Sequence, residues 1–148
     1  MGKHQRILAK LKFRKEYIER YKIAVYDHSE HAKNDCRIEG FDNLSSLKEL
    51  VENSHIVLLA VRPQQVEEVL EEIKDYDIHT LLSIVTGVSI QHLQSRLNNA
   101  PIIRSMPNTP LQINEGATAL CKSENCKADD YDFVFQLGKK LAIGLMIY

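Results

Sequence analysis

The sequence predicts an α/β fold, an open and doubly wound parallel sheet, on three observations. Short apolar runs of strand length recur at residues 55–61, 79–85 and 101–106. Stretches with helical periodicity alternate with them, and the connections between the two kinds of segment are short. No internal repeat, low-complexity tract or Gly/Ser linker interrupts the pattern, so residues 1–148 are expected to form one domain.

Residues 3–20 place Ile7, Leu8, Leu11 and Ile18 near helical spacing among Lys and Arg, which predicts a packed helix with a solvated basic face, a membrane-surface or partner-binding basic helix being the alternative. "YKIAVYD" (21–27) is a β-branched strand ending in Asp27, followed by a short polar segment and a break at Gly40. "NLSSLKELVENS" (43–54) reads as a helix with Leu44, Leu47, Leu50 and Val51 on one face. "HIVLLAV" (55–61) is apolar almost throughout, as a strand buried on both faces requires.

"PQQVEEVLEEIKDY" (63–76) opens on Pro at the first helical position and repeats apolar residues at 66, 69, 70 and 73. "HTLLSIV" (79–85) is a second buried strand, and "SIQHLQSRL" (89–97) a short helix that Ser89 can cap. "PIIRSM" (101–106) is a third strand and "GATALC" (116–121) a fourth. "CKADDYDFVFQLGKK" (126–140) reads as helix up to Gly138, and "LAIGLMIY" (141–148) as a final strand.

Composition narrows the function. A formal net charge of -1 gives no reason to expect nucleic acid as a partner. The charge is uneven, since residues 1–22 carry eight Lys and Arg against two acids. No apolar run approaches the 18 residues or so of a membrane span. The N-terminus lacks the hydrophobic stretch of a secretory signal, and Glu16 and Glu19 do not suit a transit peptide. Cys36, Cys121 and Cys126 are too few and wrongly spaced for a disulfide framework. A cytoplasmic protein is expected. His28 and His31 stand three apart, but no third ligand at suitable spacing follows, so no metal site is expected.

In a doubly wound sheet, ligands bind beyond the carboxyl ends of the strands, so each strand end is a candidate site. The first ends in Asp27-His28-Ser29. Asp27 suits a ribose 2′-hydroxyl, His28, Ser29 and Lys33 suit a 2′-phosphate, and a plain helix cap is the bland alternative. The second ends in Ala60-Val61-Arg62-Pro63, where a small residue admits a flat ligand and the next helix turns its first amides outward. The third ends in Val85-Thr86-Gly87, where Gly87 permits close approach to the backbone. The fourth runs into "RSMPNTP" (104–110), an Asn-Thr pair stiffened by Pro107 and Pro110. Asn108 there is either a site residue or the start of a local Asx-turn.

"HIVLLAVRPQQVEEVLEEI", "LLSIVTGVSIQHLQSRL" and above all "IIRSMPNTPLQINEGATAL" resemble the nucleotide-binding domain of pyrroline-5-carboxylate reductase, from about residue 20 to about residue 140. The resemblance implies a Rossmann-like fold and an NADP- or NAD-dependent reductase that reduces the small molecule 1-pyrroline-5-carboxylate to L-proline. It implies that Ala60, Val61, Arg62 and Pro63 match the family's Ala-Val-Lys-Pro cofactor segment, with Arg for Lys. Val85, Thr86 and Gly87 match its Ala-Ala-Gly turn. Met106, Asn108 and Thr109 match the loop beside the nicotinamide and imine, with Asn108 and Thr109 in the catalytic position. His28 and Ser29 fall at the adenosine end.

The family differs in three places. It opens with a strand and a Gly-x-Gly turn that supplies phosphate-binding amides, and here a helix follows Met1-Gly2 instead. That strand is the central one, so an incomplete sheet lacking its middle rung is expected. The family's C-terminal dimerisation domain, which makes it homo-oligomeric, is also absent. Where the family often has a nucleotide-binding Asn, this chain has Leu47 beside Ser46. Impaired turnover and marginal stability are therefore expected, and a non-catalytic, truncated nucleotide-binding remnant is the competing reading.

Overall fold

A computed structural model describes residues 24–27, 29–38, 42–107, 117–141 and 144–147. The basic segment 3–20 and Gly40 lie outside the described residues. Seven strands and five α-helices are described: β1 (Ala24–Val25), α1 (Glu30–Ile38), β2 (Asp42–Asn43), α2 (Leu47–Glu52), β3 (Ile56–Leu59), α3 (Val66–Ile73), β4 (Thr80–Ser83), α4 (Ile90–Arg96), β5 (Ile102–Pro107), β6 (Ala117–Lys122), α5 (Ala128–Leu141) and β7 (Gly144–Ile147).

β1 and β2 form a parallel pair by themselves, and the other strands form one sheet in the order β3-β4-β5-β6-β7. β3, β4 and β5 are parallel, in the register Leu81↔Ile102 and Leu82↔Ile103. Among the described residues no strand pairs with the outer edge of β3.

The register divides the core. Leu81 and Ile102 join Val57, Leu59, Val66, Leu70, Ile73 and Leu93 in one cluster, which α2, α3 and α4 cover. Their chain neighbours Leu82 and Ile103 point the other way and join Leu120, Cys126 and Val134 under α5. Successive strand residues face opposite sides, so a sheet with helices on both faces needs this double apolar run. β4 meets the expectation fully, with all four of its residues buried. β3 does not, since Ile56 and Leu58 are only half-buried. They face the α5 side at the margin of the sheet, where one helix covers less than three.

Local signals account for most element ends. The Ser46 hydroxyl accepts from the Glu49 N–H at 3.1 Å and starts α2. Ser89 does the same for α4 by accepting from the His92 N–H at 3.1 Å. Pro63–Gln65 forms a single 3-10 turn ahead of α3.

Three expectations are corrected. The polar segment after Asp27 contains the helix α1. β6 runs antiparallel to β5, because the nine residues 108–116 between them are too few for the crossover that a parallel return requires. α5 continues through Gly138 to Leu141 instead of ending there.

Candidate functional site

The carboxyl ends of β3 and β4 lie side by side, tied by the Ile84 N–H donating to the Leu59 carbonyl at 3.2 Å. Beyond them the chain opens a depression of about 380 Å³ lined by Pro63, Val66, Glu67, Gly87, Val88, Ser89 and His92. Pro63 and Gly87, predicted from separate strand ends, thus share one wall. Gly87 has φ +78, and a Cβ built on it would meet no atom within 4 Å. The backbone there is left-handed and faces open space, which suits close approach by a flat or phosphorylated ligand.

The adjoining residues are held from behind. Val85 turns its side chain into the core and is 2% exposed, so any ligand contact it makes runs through its backbone. Its N–H donates to the buried Ser83 hydroxyl at 3.3 Å, which fixes the path of the chain out of β4. Val61 packs against the same core as Val88, while Ala60 is half-buried and Thr86 exposed. Arg62 is exposed. Its carbonyl accepts from the Gln65 N–H at 2.9 Å. One amide of the turn expected to face a phosphate is therefore already engaged.

The floor carries a charge cluster across α3 and α4. Glu67 Oε1 lies 2.5 Å from His92 Nε2, and Glu67 Oε2 lies 3.5 Å from Arg96 Nε. Arg96 Nη2 also reaches Glu71 at 3.0 Å, and Lys74 pairs with the same carboxylate. The Lys74 hydrogen bond is the main cause holding Glu71 below its ordinary carboxylate range. These pairs are exposed and individually weak. Arg96 sets a cation 3.5 Å from Glu67, the acid that lines the depression.

The other predicted residues are placed less completely. Met106 stands at the outer end of β5, 41% exposed, with Arg104 Nη2 at 3.7 Å from its sulfur. The Ser29 N–H donates to Asp27 Oδ1 at 2.8 Å. That is a local turn ahead of α1. Ser29 lies between β1 and α1, where its carbonyl accepts from the Lys33 N–H at 3.0 Å, and it does not line the depression. His28, Asn108 and Thr109 lie outside the described residues. So of the predicted set, Pro63 and Gly87 line the depression, with Ala60, Val61, Arg62, Val85 and Thr86 adjoining them. Sequence reasoning missed Glu67 and His92, which stand on the facing surfaces of two amphipathic helices and carry no motif.

No family model matches the chain. It is 34% identical over 116 residues to the pyrroline-5-carboxylate reductase of Aquifex aeolicus, an alignment that spans 78% of this chain and 43% of that protein. The crystal structure of a pyrroline-5-carboxylate reductase from Coxiella burnetii superposes with a TM-score of 0.86 at 23% identity, across 99% of this chain and 56% of that one. The Plasmodium falciparum pyrroline carboxylate reductase, solved with NADP bound, superposes with a TM-score of 0.68 at 26% identity, across 83% of this chain and 45% of that one. The chain spans about two fifths of the length of the curated relatives it matches.

Proposed function

Because this chain belongs to the pyrroline-5-carboxylate reductase family, we propose that it is the nucleotide-binding domain of a reductase acting on 1-pyrroline-5-carboxylate. The product is L-proline, the setting is cytoplasmic proline biosynthesis, and the cofactor is NADPH or NADH. The observation that carries the reading is the depression shared by Pro63 and Gly87, beyond the carboxyl ends of two adjacent parallel strands. A relative with NADP bound supports the cofactor class.

The residues present fit such a group. Open space before Gly87 accommodates a ligand at the backbone, and Arg96 offsets part of the charge of Glu67. Pro63, Thr86 and Gly87 would hold the nucleotide, with Arg62 offering a cation at the rim. The nicotinamide ring supplies the hydride when bound. The chain's own work is positional, because a protonated imine is already electrophilic. Asn108 and Thr109, on a loop stiffened by Pro107 and Pro110, orient the substrate or the carboxamide edge, and Met106 closes the apolar side. By the family resemblance His28 and Ser29 would serve the adenosine ribose, with chemistry compatible with either cofactor.

Two measurements on the purified chain test the proposal. NADPH should bind, and substitution of Gly87 should weaken that binding. Addition of 1-pyrroline-5-carboxylate should then oxidise NADPH, but slowly, as the impaired turnover expected of this chain implies. Absence of nucleotide binding would refute the reading. Binding without turnover would favour the second reading, a nucleotide-binding module without catalysis, in line with β1–β2 pairing apart from the five-stranded sheet among the described residues.

A further inference from the structure

We propose that His55, His79 and Asp130 bind one divalent transition-metal ion, best matched by zinc, at the amino end of the sheet. The site lies at the opposite end of the strands from the nucleotide depression. His55 immediately precedes β3 and His79 immediately precedes β4. The parallel register Ile56↔Thr80 therefore sets the two imidazoles side by side. Their ring centroids are 3.9 Å apart and the planes are tilted by 39°. Asp130, in the first turn of α5, brings its carboxylate from a third segment and is only 6% exposed. One ligand atom from each of the three residues lies within 4.8 Å of the other two.

The polar pairing of these groups is incomplete. His55 Nε2 approaches Asp130 Oδ1 at 2.7 Å, and the Thr80 hydroxyl approaches Oδ2 at 2.5 Å. His79 Nε2 points at the same carboxylate from 3.5 Å, is buried, and has no hydrogen-bond partner. A buried ring nitrogen without a partner is costly. An imidazole nitrogen that carries no proton presents a lone pair, which is the form a metal ion takes. A cation between the three residues resolves this. It takes the lone pair of each Nε2 and one carboxylate oxygen, and it replaces the proton between His55 and Asp130.

The donor set selects the metal class. Two imidazoles and one carboxylate suit zinc and its neighbours, whereas calcium and magnesium prefer oxygen throughout. A tetrahedral zinc site with bonds of about 2.1 Å spaces its ligand atoms about 3.4 Å apart. The present separations, all within 4.8 Å, exceed that by at most about 1.4 Å. Water supplies the remaining position, since the His55 side chain is 64% exposed. The Thr80 hydroxyl steadies the carboxylate from behind. The ion would fasten α5 to the start of the edge strand β3, which has no strand neighbour on its outer side among the described residues.

Cobalt(II) titration of the metal-free, untagged 148-residue chain tests this. One equivalent should bind with the visible absorption of a low-coordinate ion held by nitrogen and oxygen, without a sulfur-to-metal charge-transfer band. Zinc should displace it and raise the thermal midpoint. His55→Ala removes an exposed side chain and spares the fold. It should weaken cobalt and zinc binding at least about tenfold and abolish the zinc-induced rise. Asp130→Asn keeps an acceptor for Thr80 and should weaken binding similarly. No binding at one equivalent, or equal binding by wild type and His55→Ala, would overturn the proposal. A charge-transfer band from cysteine ligands would overturn it too.

Discussion

Gly87→Ala separates the cost of a backbone conformation from the cost of filling a site. Gly87 has φ +78, so alanine there adopts the left-handed region at a penalty of about 1 kcal/mol. No steric penalty adds to it, because the new Cβ meets nothing within 4 Å. For a chain of this length, about 1 kcal/mol lowers the thermal midpoint by roughly 3 °C. In the proposed function the same methyl stands where the nucleotide backs onto the chain, so NADPH affinity should fall by about tenfold or more, equivalent to about 1.4 kcal/mol. Stability is read by urea unfolding followed by circular dichroism, and binding by the cofactor's own fluorescence, since the protein has no Trp. A stability loss above about 3 kcal/mol would mean that the position is crowded and the geometry wrong. The expected small loss with unchanged NADPH affinity would mean that the nucleotide does not lie against Gly87.

Leu81→Ala empties a fully buried position in the interior strand β4 and should cost about 3 kcal/mol by urea unfolding; a cost below about 1 kcal/mol would contradict its packing. Ser46→Ala removes the α2 cap and should cost about 1 kcal/mol, with Ser46→Thr close to wild type. The Ser45 hydroxyl, and then its N–H, hold the Glu49 carboxyl below its ordinary 4.5. Ionised Glu49 therefore stabilises the fold above the unfolded value, and that contribution disappears as pH falls through the lowered native one. The difference in stability between wild type and Glu49→Gln should accordingly be present at pH 7 and vanish in acid. Burial pushes the Cys126 thiol up, so iodoacetamide at pH 7.5 should label half-buried Cys121 at least about tenfold faster, as peptide mapping can measure.

Where the sequence reading succeeded and failed follows from which interactions leave a mark in one segment. β4 was legible because a strand covered on both faces must be apolar at consecutive positions, and Leu81 and Leu82 do face opposite clusters. α1 was not, since "EHAKNDCRI" carries almost no apolar stripe and its Ile38 is 83% exposed. The direction of β6 was carried by the length of its connection and by nothing in "GATALC". Gly138 carries a helix penalty of about 1 kcal/mol, yet α5 runs past it, a local preference that tertiary context overrides. In the candidate site, Pro63 and Gly87 were legible because special backbone positions demand special residues. The Glu67–His92 pair was not, because it exists only once α3 and α4 pack together. His55 and His79 each open an apolar run, a signal that acquires meaning only through the register between β3 and β4.

The break in the sheet makes one further demand that hydrogen exchange can examine. Successive strand residues direct their N–H and C=O groups to opposite sides. The Leu59 carbonyl accepts from Ile84 across the β3–β4 ladder, so Val57 and Leu59 face β4. Ile56 and Leu58 must then direct their amides to the outer edge, where no strand pairs among the described residues. Side-chain burial does not protect them equally, because both are only half-buried. The Leu58 amide should therefore exchange at least about a hundredfold faster than the Leu59 amide, a difference of roughly 2.7 kcal/mol in opening free energy. NMR-detected exchange on the 148-residue chain resolves the pair. Equal protection would mean that another segment or a second copy pairs with the outer edge of β3. The sheet would then be continuous across the gap, and the expected instability of the fold would lose its basis.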